Sequence, residues 1–143
     1  LGRPKVVVIE GVHFEPFLSP GDRVIVVERG RYRRGELVYS GWSGGIERVA
    51  AVGGQQVRIE GGALFVDGLK VPREFLPLSR EALADARLEG AALVVPKRHY
   101  LIFFPARNYY LKGEDLLRFF LLPERAIGGK LALRYSPDIK VLP

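Results

Sequence analysis

Among the side chains with the chemistry to ligate a metal or move a proton, His13, Glu47 and His99 form the candidate set. Imidazole and carboxylate are acceptable zinc ligands, and three protein ligands plus water make a catalytic zinc arrangement. The three residues include no close-spaced ligand pair, so a hydrogen-bonded surface imidazole is the better reading of His99, and neither a metal nor another cofactor is expected. The nucleophile candidates are Ser19, Ser40, Ser43, Ser79 and Ser136. None has a lysine or histidine at a spacing that identifies a base, and polar loop placement accounts for them, Ser79 as a helix cap. Cysteine is absent, which excludes disulfides and thiolate chemistry.

His13 belongs to the stretch Val12-His13-Phe14-Glu15-Pro16-Phe17-Leu18-Ser19-Pro20-Gly21-Asp22. Pro16 and Pro20 remove backbone donors and restrict the residues before them, which predicts a rigid irregular loop that Gly21-Asp22 turns into a strand. The surrounding apolar residues come in short, often β-branched runs cut by Gly and Pro, the pattern of a mainly β domain. Strands are expected at Val6 to Ile9, Arg23 to Val27, Glu36 to Tyr39, Glu47 to Val52, Leu93 to Val95, Tyr100 to Phe104 and Lys130 to Tyr135. Val57 to Glu60, Gly61-Gly62 and Leu64 to Val66 predict a hairpin with a two-residue turn, and Asp67-Gly68 begins another tight turn. Ser79 to Gly90 has a serine cap, good helix formers and a terminal glycine, and Glu114 to Leu122 is also expected to be helical. Phe119 to Leu122, beside Leu116-Leu117, reads as core more than docking surface.

At 143 residues the chain has the length of one domain, 1–143, that buries its own core. Its apolar runs are far shorter than the roughly 20 residues that span a bilayer. A formal charge of +6, carried by 16 Arg and 6 Lys against 16 acids, favours an anionic surface or partner. Arg29, Arg31, Arg33 and Arg34 crowd one polar segment, which reads equally as a solvated turn and as a membrane-surface patch formed by Arg31, Arg33 and Arg34. Nucleic acid is not expected, because no reading helix or aromatic stacking motif accompanies the charge. Trp42, among glycines, is suited either to a membrane interface or to packing across a cleft mouth.

Taken with Ile46-Glu47-Arg48-Val49-Ala50-Ala51-Val52-Gly53-Gly54 and Gly62-Ala63-Leu64-Phe65-Val66-Asp67-Gly68, the His13 loop resembles the bacterial type I signal peptidases. These Ser/Lys-dyad enzymes carry Ser-Met-x-Pro-Thr-Leu then Gly-Asp, Lys-Arg-Val before a Gly-rich turn, and a box closing on Val-Asn-Gly. Val95-Pro96-Lys97-Arg98-His99-Tyr100 and Leu122-Pro123-Glu124-Arg125-Ala126-Ile127-Gly128-Gly129-Lys130 extend the likeness to about Tyr135. The resemblance implies an all-β domain with short helices, the signal-peptidase/LexA-like coiled β-sheet. It also implies the extracytoplasmic face of the cytoplasmic membrane, with an anchor upstream of Leu1; the absence of Met at position 1 fits a processed or excised chain, and the chain as it stands is expected to be soluble.

The Ser-x-x-Pro spacing puts His13 at the family's serine, and Glu47 stands where the lysine precedes Arg48-Val49. The family's Gly-Asp-Asn-Arg falls on Phe104-Pro105-Ala106-Arg107, where only Arg107 matches. The chemistry of the family needs a hydroxyl nucleophile, a neutral lysine and an oxyanion donor. Here both dyad members are replaced, so no intact catalytic set is expected. His13 and Glu47 are read either as an imidazolium-carboxylate pair or as solvated loop and edge residues. Burial of Glu47 would raise its pKa.

Such enzymes hold substrate extended beside the strand leading to the serine, which corresponds here to Ile9, Glu10, Gly11 and Val12, with Phe14 and Phe17 at the family's Met and Thr. That mode needs strand-edge donors and acceptors but no nucleophile. The leading expectation is therefore a catalytically defective homologue binding an extended peptide or protein partner in secretion or pilus assembly. The alternatives are an altered endopeptidase and a structural module whose groove Phe14 and Phe17 close.

Overall fold

The alternation of Val24 and Val26 with Arg23, Ile25 and Val27 turns one face of a strand inward, and both valines are fully buried. The computed structural model describes the backbone of residues 4–9, 20–40, 45–72, 86–104, 110–136 and 140–141, and their side chains except those of 86, 133–136 and 140–141. Its strands are β1 (Pro4–Val8), β2 (Arg23–Val27), β3 (Leu37–Ser40), β4 (Ile46–Arg48), β5 (Ala51–Val52), β6 (Gln56–Glu60), β7 (Ala63–Val66), β8 (Leu69–Lys70), β9 (Ala92–Val94), β10 (His99–Leu101), β11 (Leu121–Pro123), β12 (Ile127–Ser136) and β13 (Lys140–Val141). With one short helix, α1 (Gly113–Phe119), and 3₁₀ turns at Ala86–Leu88 and Glu124–Ala126 among the described residues, the protein has the all-β architecture expected.

Every strand pairing is antiparallel. The first sheet runs β1-β2-β12-β3-β4, with β13 added to β12; the others run β11-β10-β5 and β8-β7-β6-β9. β12 reaches from β3 to β2 with register shifts along its length, the bulges that let a ten-residue strand bend between partners. Gly129 permits one such approach: its φ is +148°, and a Cβ there would lie 2.5 Å from Cγ1 of Val26.

The expected hairpin is β6-β7, with Gly61 and Gly62 at φ +60° and +71°, values that suit a type I′ turn. Asp67 and Gly68 repeat this between β7 and β8 at φ +49° and +81°. The single strand expected over Glu47 to Val52 is two. Ile46 to Arg48 pair with β3, whereas Ala51 and Val52 pair with β10. The buried pair Val49-Ala50 hands the chain over, Val49 N donating to Glu36 O at 2.9 Å and Ala50 N to Leu101 O at 2.8 Å. The predicted strand Tyr100 to Phe104 is His99–Leu101, after which Ile102 N donates to Phe120 O. The predicted helix Glu114 to Leu122 stops at Phe119, because Leu121 to Pro123 become extended and pair with β10. Of the predicted helix Ser79 to Gly90, residues 79–85 lie outside the described set, and Ala86–Leu88 form the 3₁₀ turn.

Leu116, Leu117 and Phe120 pack with Val57, Ile59, Leu64 and Leu93 into one core. Leu37 belongs to a second core with Ile9, Val24, Val26, Ile46 and Leu131, while its neighbour Val38 belongs to a third with Val49, Ile102 and Ile127. Adjacent residues of β3 thus serve opposite faces, so the first sheet is covered on both sides there. Phe119 is partly exposed, but the expectation that Leu116, Leu117, Phe120 and Leu122 are core holds.

Candidate functional site

Glu47 takes its environment from its strand register. It pairs with Val38 across β4 and β3, and directly opposed residues share a face. Val38 is fully buried in the third core, so the carboxyl is carried into apolar surroundings. Glu47 is 3% exposed, and among the described residues its Oε2 has no hydrogen-bond partner. Burial pushes its pKa from 4.5 up to about 8, since a charged carboxylate loses its hydration there. The reading of Glu47 as a solvated edge residue is therefore corrected: β4 is at the sheet edge, but this side chain points inward.

The next residue is held differently. Arg48 Nη1 donates to Gly35 O at 2.7 Å, and burial lowers the guanidinium pKa. Successive side chains of a strand face opposite ways, so Glu47 and Arg48 are not set up as an ion pair.

The base of the His13 loop is pinned. Ile9 N donates to Asp22 O and Gly21 N donates to Ile9 O, both at 2.8 Å, with Gly21 at φ +88°. His13, Glu10, Gly11, Val12, Phe14 and Phe17 lie outside the described residues, as do Trp42, Ser19, Ser43 and Ser79. Of the expected peptide-binding edge, Ile9 is the described member. Its side chain is core and both its backbone groups are engaged with 21–22. By alternation the outward backbone groups belong to its neighbour Val8. Among the described residues β1 is the edge of its sheet, and Val6 and Val8 are 61% and 50% exposed.

Ser40 is corrected as well: it is the fully buried last residue of β3, not a loop serine. Ser136 ends β12. His99 Nδ1 lies 2.8 Å from Lys97 O, a contact in which Nδ1 carries the proton. No group of three or more metal-ligating residues occurs among the described residues.

Arg29, Arg31, Arg33 and Arg34 are exposed on the β2–β3 connection. Glu36 organises one side of it, accepting from Arg33 N at 2.6 Å and lying 3.3 Å from Arg29 Nη1 and 3.1 Å from Lys130 Nζ. The sequence reading missed the anchor of this segment, Tyr32, whose only signal is an aromatic among arginines. Tyr32 is buried edge-to-face against Tyr100, with ring centroids 5.8 Å apart. Tyr32 N donates to Tyr100 Oη at 3.1 Å, and Tyr100 Oη donates to Glu124 Oε1 at 3.2 Å. Burial raises the pKa of both phenols. Beside this network lies a groove of about 760 Å³ between the Arg31-Tyr32 segment, Gly53-Gly54 and the Pro96–His99 turn.

The family model for signal peptidase, peptidase S26, matches residues 4–135. The chain belongs to the signal peptidase (peptidase S26) family. Among solved structures it is similar to a signal peptidase I from Enterococcus faecalis V583, at 15% identity and a TM-score of 0.47, over 73% of this chain and 99% of that one. No curated protein matches it. Among the described residues no helix is long and apolar enough to cross a membrane.

Proposed function

We propose that this chain is a catalytically defective signal peptidase I homologue that binds an extended peptide or partner segment along the outer edge of β1. The observation that carries the proposal is Glu47. At the position of the family's general-base lysine stands a buried carboxyl with its pKa pushed up to about 8, so it is mostly protonated at neutral pH, and no serine stands at the family's nucleophile position for it to activate. The residue at the family's serine is His13, whose imidazole would form a labile acyl-imidazole in place of an ester. Binding needs neither group. Among the described residues β1 is an edge strand with exposed Val6 and Val8, which suits β-augmentation by outward main-chain groups and apolar side-chain contacts. Arg31, Arg33 and Arg34 add a cationic surface suited to an anionic membrane face, and family membership supports a place at the extracytoplasmic side of the membrane, in secretion or pilus assembly.

One observation favours a second reading. A buried carboxyl titrating near pH 8 is also what a relocated acid-base catalyst looks like, and such an endopeptidase would gain activity above that pH. Both readings are tested by incubating the purified domain with signal peptides containing Ala-x-Ala sites, in detergent from about pH 6 to pH 9.5, beside an active family member. Products are read by mass spectrometry, and peptide binding by fluorescence polarisation. Binding without cleavage at any pH supports the first reading. Specific cleavage that rises through pH 8 overturns it in favour of the second, and neither binding nor cleavage leaves a structural module.

A further inference from the structure

We infer that the groove between the Arg31-Tyr32 segment and the Pro96–His99 turn is a binding site for a phosphate group, with Arg31, Lys97 and Arg98 as its cations. All three line the groove and are exposed, and none has an ion-pair partner among the described residues. Among the described residues the one acid in the lining is Glu124, and its carboxylate already accepts from Tyr100 Oη. Three cations and one carboxylate leave a formal +2 with His99 neutral, the complement of a phosphate monoester at about −1.5 to −2. A single carboxylate would leave half of that charge unmatched. Arginine's planar fork also suits the paired oxygens of a phosphate.

The turn that presents Lys97 and Arg98 is braced on several sides. His99 N donates to Pro96 O at 3.1 Å, Glu124 N donates to Arg98 O at 2.9 Å, and His99 Nδ1 lies against Lys97 O. Gly53 sits so close beneath it that a Cβ would stand 2.9 Å from Pro96 O and 3.2 Å from Arg98 N. Arg98 itself has φ +59°, left-handed backbone that glycine adopts freely and that costs a residue with a Cβ about 1–2 kcal/mol. A strained, fixed backbone carrying a long cation into a groove is the pattern of a preorganised binding residue. Val52, Val94 and Pro96 add apolar surface beside the cations, so the ligand is a phosphate attached to a larger body, either a soluble monoester or the headgroup of a phosphatidic acid-type lipid.

The test uses the intact chain. Inorganic phosphate and glycerol 3-phosphate are titrated at constant ionic strength while the amide resonances of Gly53, Gly54 and Lys97 to His99 are followed. Cosedimentation with phosphatidylcholine vesicles, with and without phosphatidic acid, runs in parallel. Saturable shifts confined to the groove support the site, and Lys97→Ala and Arg98→Gly should each weaken binding roughly tenfold, the loss of one charge-assisted contact. Arg98→Gly suits the backbone, so its loss of binding cannot be ascribed to misfolding, and Lys70→Ala on β8 is the unaffected control. Binding of the soluble probes identifies a soluble ligand. Sensitivity to Arg98→Gly only with phosphatidic acid vesicles identifies the headgroup. The inference is overturned if chloride produces the same shifts, if neither probe nor vesicle responds to Arg98→Gly, or if an oligoglutamate peptide alone binds, which would make the groove a site for acidic protein segments.

Discussion

Replacing Glu47 by glutamine should remove a pH dependence of stability that the wild-type carboxyl imposes. The carboxyl titrates at 4.5 when solvated and at about 8 in the fold. Below the lower value both states hold the proton and the group has no effect on stability. Between the two, the unfolded chain releases the proton while the folded chain keeps it, so unfolding is favoured increasingly as pH rises. Above about 8 the folded carboxyl ionises too and the loss is complete. At about 1.4 kcal/mol per pH unit, the span amounts to roughly 4–5 kcal/mol, of which about 3–4 kcal/mol accrues between pH 5 and pH 8. Glutamine has the same shape and no titration. Its amide costs about 1–3 kcal/mol where Oε2 has no partner among the described residues, but that offset is the same at every pH. Urea unfolding followed by circular dichroism from pH 5 to pH 9 should therefore show Glu47→Gln gaining on the wild type as pH rises. With an m-value of about 1–3 kcal/mol per M, the relative midpoint should move by on the order of 1–4 M. Parallel pH profiles for the two proteins would refute the burial argument, and with it the reason for reading Glu47 as mostly protonated at neutral pH.

Restoring the family's dyad with His13→Ser and Glu47→Lys should yield little cleavage of an Ala-x-Ala peptide, because the supporting positions Phe104, Pro105 and Ala106 also depart from the family's pattern; substantial product would show that the dyad suffices. Gly53→Ala should destabilise by about 1–3 kcal/mol, since its Cβ would meet backbone atoms of Pro96 to Arg98, and an unchanged thermal midpoint would show that the turn yields. Arg98→Gly should raise stability by about 1 kcal/mol by relieving the left-handed backbone; thermal unfolding that shows a loss would mean that the arginine side chain is itself a brace. Leu117→Ala, fully buried where α1 meets the β6-β7 sheet, should cost about 2–5 kcal/mol by calorimetry, and a loss under about 1 kcal/mol would mean that the core collapses around it.

Local chemistry was the most legible part of the chain. The Gly61-Gly62 turn follows from two adjacent residues that accept positive φ, and β2 was found at its predicted bounds because Val24 to Val27 are an unbroken β-branched run set off by the Gly21-Asp22 turn. Glu47 to Val52 looked continuous because every residue from Val49 onward is apolar, and apolar character cannot say which of two sheets a segment joins. The end of α1 was missed for a related reason. Leu121 and Leu122 would suit a helix, and their extended form depends on pairing with His99 to Leu101, some twenty residues earlier in the chain.

The sequence by itself determined the family frame and the substitutions within it, because spacing along the chain fixes which residue stands at each motif position. It could name Glu47 and say that burial would raise its pKa, but not that burial occurs. That was decided by the pairing of Glu47 with Val38, which brings a carboxyl onto the face of a fully buried valine. The groove with Arg31, Lys97 and Arg98 likewise exists only in three dimensions, since β10 and the Tyr32–Tyr100 contact join segments nearly seventy residues apart. Hydration and electrostatic field depend on distance through space, and the sequence records only distance along the chain.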